Sequence, residues 1–237
     1  MAIIKNALML LLGVITSSFA FGLEMDMELY LSGGAALASG AFSDATRARY
    51  ELLGPEEGAS SSSRPAFVAG GGLAAFFPIR DRLSFRAGLD LGRWGLALSG
   101  EDEEGEDFAA SEFGCLALAL QADLCATFRA GPGSLRPSAG LFAALLLSDY
   151  SFEESLSGIE SSISLEPASA DRLFWGLGLG LSYLYRLGPG RLGLGLRGEL
   201  GLSPLASGEG AVGDEVSYPL RALLRASYEL HLGGGRR

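Results

Sequence analysis

The chain has 237 residues, and its 18 basic side chains stand against 28 acidic ones, a formal net charge of −10. So acidic a balance excludes a nucleic-acid partner, whose phosphates require a basic surface. Thirty-five glycines and the lack of Glu/Lys helical pairs exclude a helical protein.

At the start of the chain, Lys5 precedes an apolar run from Ala7 to Ile15, and small residues follow up to Ser18-Phe19-Ala20. This pattern predicts a secretory signal peptide over residues 1–20, with cleavage after Ala20 or after Gly22. The run is shorter than the roughly 20 residues that a spanning helix needs. Lys5 is the only lysine, so residues 21–237 carry 17 arginines against 28 acids (18 − 1 = 17; 17 − 28 = −11). That stretch has the length of one all-β domain.

Eight segments then alternate with period two, the signature of strands with two different faces: 25–40, 65–78, 82–98, 111–129, 134–150, 171–186, 190–203 and 215–232. The fourth holds Cys115 and Cys125, ten residues apart. On one strand that is ~33 Å, too far for a disulfide, so both are expected to be small inward packing residues. In the sixth, Leu173, Trp175, Leu177, Leu179, Leu181, Tyr183 and Tyr185 oppose Gly176, Gly178, Gly180 and Ser182. In the seventh, Leu192, Leu194, Leu196, Leu200 and Leu202 oppose Arg191, Gly193, Gly195, Arg197, Glu199 and Gly201. The eighth sets Tyr218, Leu220, Leu224, Tyr228, Leu230 and Leu232 against Arg221, Arg225, Ser227, Glu229 and His231.

A soluble barrel would hydrate its polar face and furnish it with lysine; here that face is glycine-rich and lacks lysine. The narrow lumen of an eight-stranded barrel suits glycine, serine and paired charges, which leaves the bulky face to lipid. Phe67 and Phe77, Trp175 and Tyr185, and Tyr218 and Tyr228 are each ten residues apart on that face. At ~3.3 Å per residue and a tilt of ~40° this spans about 25 Å, the height of an apolar band between two aromatic girdles. Tight turns follow the even-numbered segments, at Pro78 to Arg82, Gly131-Pro132-Gly133 and Gly188-Pro189-Gly190; longer connections, 41–64, 99–110, 151–170 and 204–214, follow the odd ones. The expected fold is an all-β, eight-stranded antiparallel up-and-down transmembrane β-barrel, with both termini on the short-turn side.

Over residues 21–237 the chain resembles the small outer-membrane barrels of the OmpA, OmpX and OmpW type, a likeness of architecture rather than of motif. The resemblance implies a bacterial outer-membrane location with periplasmic termini. It also implies outer-membrane lipid and the outer-membrane assembly machinery as partners. Members often end in an aromatic residue read by that machinery; here Leu232 takes its place and Gly233 to Arg237 follow. The function implied is non-enzymatic, a barrel anchoring four external loops for an envelope, host or extracellular ligand. The alternatives are a narrow channel for ions or small hydrophobic molecules, and a lipid A-modifying enzyme. The last would need a histidine near the external rim, whereas the only one, His231, is expected at the periplasmic end with Ser227 roughly 13 Å along its strand.

Charge is sorted by side. Glu101, Asp102, Glu103, Glu104, Glu106 and Asp107 form an acidic external loop, joined by Glu153, Glu154, Glu160 and Glu166, while Arg80, Arg82, Arg129, Arg136, Arg186 and Arg191 flank the tight turns and Arg236 and Arg237 end the tail. Clustered carboxylates attract divalent cations, but no ligand spacing specifies a site here. Inward positions predict a lumen ion-pair network of Asp26, Glu28, Arg86, Asp90, Asp123, Arg197, Glu199, Arg221, Arg225 and Glu229, with Gln121 among them. Closure of the barrel is expected to give Arg221 and Arg225 carboxylates on both sides. Such a network reads better as a plug than as a gate, because the lumen is narrow. Gly193, Gly195 and Gly198 match G-x-G-x-x-G but lie within an alternating strand, not at a helix start, so no nucleotide site is expected. No cofactor and no metal site is expected.

Overall fold

The computed structural model describes residues 25–40, 60–101, 107–148, 150–156, 159–165, 172–203 and 217–232. The proposed signal peptide, residues 1–20, lies outside them, as do Asp102, Glu103, Glu104, Glu106, Glu166, Arg236 and Arg237. Among the described residues all regular structure is β apart from a single 3-10 residue, Arg172. Eight long strands form the wall: β1 (Met25–Gly40), β3 (Ala66–Arg80), β4 (Leu83–Glu101), β5 (Asp107–Ala126), β7 (Gly133–Leu146), β10 (Leu173–Leu187), β11 (Gly190–Gly201) and β12 (Ser217–Leu232). Four short ones extend it: β2 (Ser60–Arg64), β6 (Phe128–Ala130), β8 (Tyr150–Leu156) and β9 (Ile159–Leu165). Each wall strand pairs antiparallel with its neighbour, and β1 pairs with β12 from Met25↔Leu232 to Gly40↔Ser217, which closes the sheet.

The register sets the tilt. Starting at Trp175 and stepping across the ladder through Ala143, Leu120, Leu89, Leu73, Leu29, Tyr228 and Leu192, the path returns to β10 at Tyr185. The stagger around the wall is therefore ten residues (185 − 175 = 10). Ten residues at ~3.3 Å against eight strands at ~4.8 Å give a tilt of about 40°. Period-two alternation then sends one face of each strand outward. Leu179, Leu194, Leu196 and Leu31 are 67%, 58%, 66% and 71% exposed, although each is a large apolar side chain. An exposed leucine belt of this extent has no favourable partner in water.

Two short-side turns share one chemistry. Gly131 (φ 56°) and Gly188 (φ 59°) each precede a proline in a two-residue connection. Positive φ first and proline's fixed negative φ second is the type II′ pattern, whose twist matches the flanking strands. On the opposite side, two predicted loops are largely strand. The ladder between β4 and β5 reaches Glu101↔Asp107, so the 99–110 connection narrows to the few residues between them. Most of 151–170 folds as the β8–β9 hairpin, with β8 pairing β5 at Glu112↔Glu153. Pairing of β8 with β5 and of β9 with β8, rather than the propensity of its serines and glutamates, holds this segment as strand.

A lipid-facing belt predicts a depth-dependent cost for charge. Leu196, opposite Leu181 and midway between the levels of Trp175 and Tyr185, is the central position. Leu196→Arg is expected to destabilise the barrel by about 2–4 kcal/mol, and Leu202→Arg, hydrogen-bonded at the level of Trp175, by at most about 1 kcal/mol. Reversible denaturant unfolding in lipid vesicles checks the difference.

Candidate functional site

The inward face fills the lumen in layers. Nearest the long connections, Trp94, Phe142 and Phe174 form an aromatic cluster, with Trp94 edge-on to Phe174 at 4.7 Å between ring centroids and 5.5 Å from Phe142. Cys115, Ala117, Ala119, Ala144 and Leu146 pack around them. Cys115 and Cys125 are both buried and free, as their spacing along β5 requires. The Phe142 ring needs the space at Gly176, where a Cβ would come within 2.7 Å of it.

Below the aromatic layer runs a connected ion-pair network. Arg221 lies over the Trp94 ring, 3.2 Å from its centroid, and donates to Glu199 through Nε at 2.9 Å and through Nη2. Glu199 also accepts from Arg197 Nε at 2.8 Å and Gln121 Nε2 at 3.3 Å. Arg197 grips Asp123 with both terminal nitrogens, at 3.0 and 3.2 Å. Asp123 accepts as well from Arg86, which donates to Gln121 at 2.8 Å and to Glu28 at 3.0 Å. Gly178 leaves room for this arrangement, since a Cβ there would overlap the Arg197 guanidinium.

A second cluster lies toward the short-turn side. Arg136 pairs with Glu229 and donates to Thr127. Arg191 bridges Glu229, at 3.0 Å, and Asp26, whose other oxygen is 2.7 Å from His231 Nδ1. The lumen thus unites Asp26, Glu28, Arg86, Asp123, Arg197, Glu199, Arg221 and Glu229 through ion pairs and hydrogen bonds. It adds two arginines assigned from sequence to the turn flanks, Arg136 and Arg191. Their inward parity was available as a signal: Arg136 follows Ser134 by two residues and Arg191 precedes Gly193 by two.

Two members depart from expectation. Arg225 has no carboxylate partner among the described residues; it lies 4.0 Å from the centroid of the Tyr30 ring, reaches Gln121 at 3.4 Å and leaves Nε unpartnered. Register explains this, because Arg225 stands opposite Gly195 and Ser32, whereas Arg221 stands opposite Glu199. Asp90 is 2% exposed, and its Oδ2 has no hydrogen-bond partner. Even so, among the described residues the buried arginines (Arg86, Arg136, Arg197, Arg221, Arg225) equal in number the buried acids (Glu28, Asp90, Asp123, Glu199, Glu229).

Other expected features fall outside this lumen. Gly193, Gly195 and Gly198 sit within β11, with no helix after them. His231 lies at the short-turn mouth, and Ser227 is four residues back along β12, facing Tyr30 and Gly193. Of the acidic run, Glu101 and Asp107 are opposite one another at the last step of the β4–β5 ladder. No group of three or more potential metal-ligating side chains occurs among the described residues.

A closed eight-stranded antiparallel wall with leucine outside and a charge-matched, filled lumen defines a membrane-spanning β-barrel. No family profile matches the chain, and no curated protein matches it. Among solved structures it is similar to Neisserial surface protein A (NspA), with 15% identity, 87% of this chain and 97% of that one covered, and a TM-score of 0.41. It is similar to Ail, the attachment invasion locus protein of Yersinia pestis, at 10% identity, with coverage of 88% and 99% and a TM-score of 0.37. The outer-membrane protein OprG of Pseudomonas aeruginosa shares 10% identity, with coverage of 89% and 97% and a TM-score of 0.41.

Breaking a buried pair strands its partner. Glu199→Gln leaves Arg197 and Arg221 without a shared counter-charge and is expected to cost about 3–5 kcal/mol. Asp90→Asn removes a carboxylate whose Oδ2 has no hydrogen-bond partner and is expected to cost less than Glu199→Gln. Equilibrium unfolding of both variants tests the contrast, and equal losses would contradict this assignment of partners.

Proposed function

We propose that the chain is a non-enzymatic integral protein of a bacterial outer membrane, with both termini periplasmic, whose plugged barrel anchors external loops for contact with the envelope, a host surface or an extracellular ligand. The filled lumen carries this reading: among the described residues, five buried arginines and an equal number of buried acids lie beneath the Trp94–Phe142–Phe174 cluster. A barrel packed in this way is a rigid support, and recognition then belongs to the connections it holds. β2, β8 and β9 support the same reading by extending the sheet beyond the wall on the long-connection side. The register there sets Glu112 opposite Glu153 and Glu101 opposite Asp107, which makes that extension acidic. Outer-membrane lipid and the assembly machinery complete the expected partners.

Two experiments test it. A cysteine at Glu104 is expected to react with a membrane-impermeant maleimide on intact cells, and one at Pro132 only after the outer membrane is permeabilised; the reverse pattern would invert the topology. Transplanting the four long connections onto another small barrel is expected to transfer surface binding, and failure to do so counts against loop recognition.

The channel reading has one observation in its favour, the unpartnered Arg225 Nε and Asp90 Oδ2 within the lumen. It requires conductance in planar bilayers that changes with Arg225→Gln. The plug reading predicts a silent bilayer for both proteins. Lipid A modification has less support, since His231 pairs with Asp26 at the short-turn mouth.

A further inference from the structure

Among the described residues, the short-turn mouth holds more positive charge than its acids neutralise. A cavity of about 800 Å³ opens there, with Arg129, Ser134, Arg186, Arg191, Glu229 and His231 among its walls. The ladder aligns them: Arg129 and Leu184 flank Ser134, Arg186 stands opposite Arg191, and Arg191 opposite Glu229. Two guanidiniums directly opposite on one face of an antiparallel pair repel each other. The available acids are already engaged, Asp26 by Arg191 and His231, and Glu229 by Arg136 and Arg191. Arg129 and Arg186 have no carboxylate partner among the described residues. Setting Arg129, Arg136, Arg186 and Arg191 against Asp26 and Glu229 leaves two positive charges unmatched (4 − 2 = 2). An adjoining cavity of about 270 Å³ carries Arg80, Asp81 and Arg82, a further excess of one positive charge.

We propose that this mouth is a binding site for a small soluble dianion bearing phosphate or carboxylate groups. The planar donor forks of Arg129 and Arg186 match such oxyanions, and Ser134 and His231 supply further donors. The cavity is of a size that takes up small molecules. The anion occupies the region between Arg186 and Arg191 and relieves their repulsion without disturbing the ion pairs of Asp26 and Glu229. The site lies on the opposite side of the barrel from the external loops, so it stands or falls independently of what they bind.

Calorimetric titration of the detergent-refolded full chain tests the site, with pyrophosphate and citrate as probes at fixed ionic strength. One saturable site is expected for the wild type, with affinity lowered at least tenfold in Arg129→Gln and Arg186→Gln and less in Arg186→Lys. Arg93→Gln, on the outer wall and paired with Glu112, is expected to bind as the wild type does. Each variant is checked for folding by heat-modifiable electrophoretic migration. Absence of saturable heat, an equal response to sodium chloride at matched ionic strength, or wild-type affinity in an Arg129→Gln/Arg186→Gln double variant would overturn the proposal. So would loss of pyrophosphate affinity in nanodiscs of anionic lipid but not zwitterionic lipid, since lipid headgroups would then be the occupant.

Discussion

A strand facing hydrocarbon has no water to satisfy its amides, so every backbone donor and acceptor within the bilayer must find a partner in the sheet itself. Closing β1 onto β12 meets that requirement along sixteen paired positions and removes both edges from the wall. The stagger of ten residues around eight strands then sets the tilt, and the tilt sets how far apart the girdle residues Trp175 and Tyr185 stand. Alternation along each strand does the rest, since one parity meets lipid and the other meets a lumen only wide enough for side chains.

That narrowness shapes the lumen chemistry. Arginine side chains fit across the barrel only where the facing wall recedes, and glycine supplies the recess: the Arg197 guanidinium occupies the place a side chain at Gly178 would take. Once inside, a guanidinium must be matched, and the matching is shared rather than pairwise. Glu199 serves Arg197 and Arg221, Asp123 serves Arg86 and Arg197, and Glu229 serves Arg136 and Arg191. Sharing spreads each charge over several strands, so the network ties together staves that are distant around the wall. Arg221, for instance, connects β12 through Glu199 on β11 and Gln121 on β5 to Arg86 on β4.

Most of the wall was legible in the sequence because period two is a local signal and leucine against glycine makes the two faces plain. The 190–203 segment became β11 (Gly190–Gly201), and the 25–40 segment coincides with β1. What escaped depends on register, which is not local. Arg225 reads as a natural partner for flanking acids until Gly195 and Ser32 fall beside it, whereas the inward parity of Arg136 was legible and only its partner, Glu229, needed the register. The β8–β9 hairpin escaped for another reason. Its serines and glutamates look like loop composition, and only pairing with β5 makes a strand of them.

The two ends of the lumen differ in kind, and the difference follows from what lines each strand end. Toward the long connections the inward residues are aromatic or small, so dispersion and ring packing among Trp94, Phe142 and Phe174 close the lumen without charge. Toward the short turns the inward residues are ionic, and the cation count exceeds the acids that face it. A guanidinium in the middle of the barrel that makes no ion pair has no exit to solvent, as at Arg225, which packs on the Tyr30 ring and reaches Gln121. Charge left over at the mouth borders a cavity open to solvent, where a mobile counter-ion has access. An arginine without an ion pair is therefore a structural compromise inside the barrel, whereas the arginine excess at the mouth is an accessible electrostatic feature.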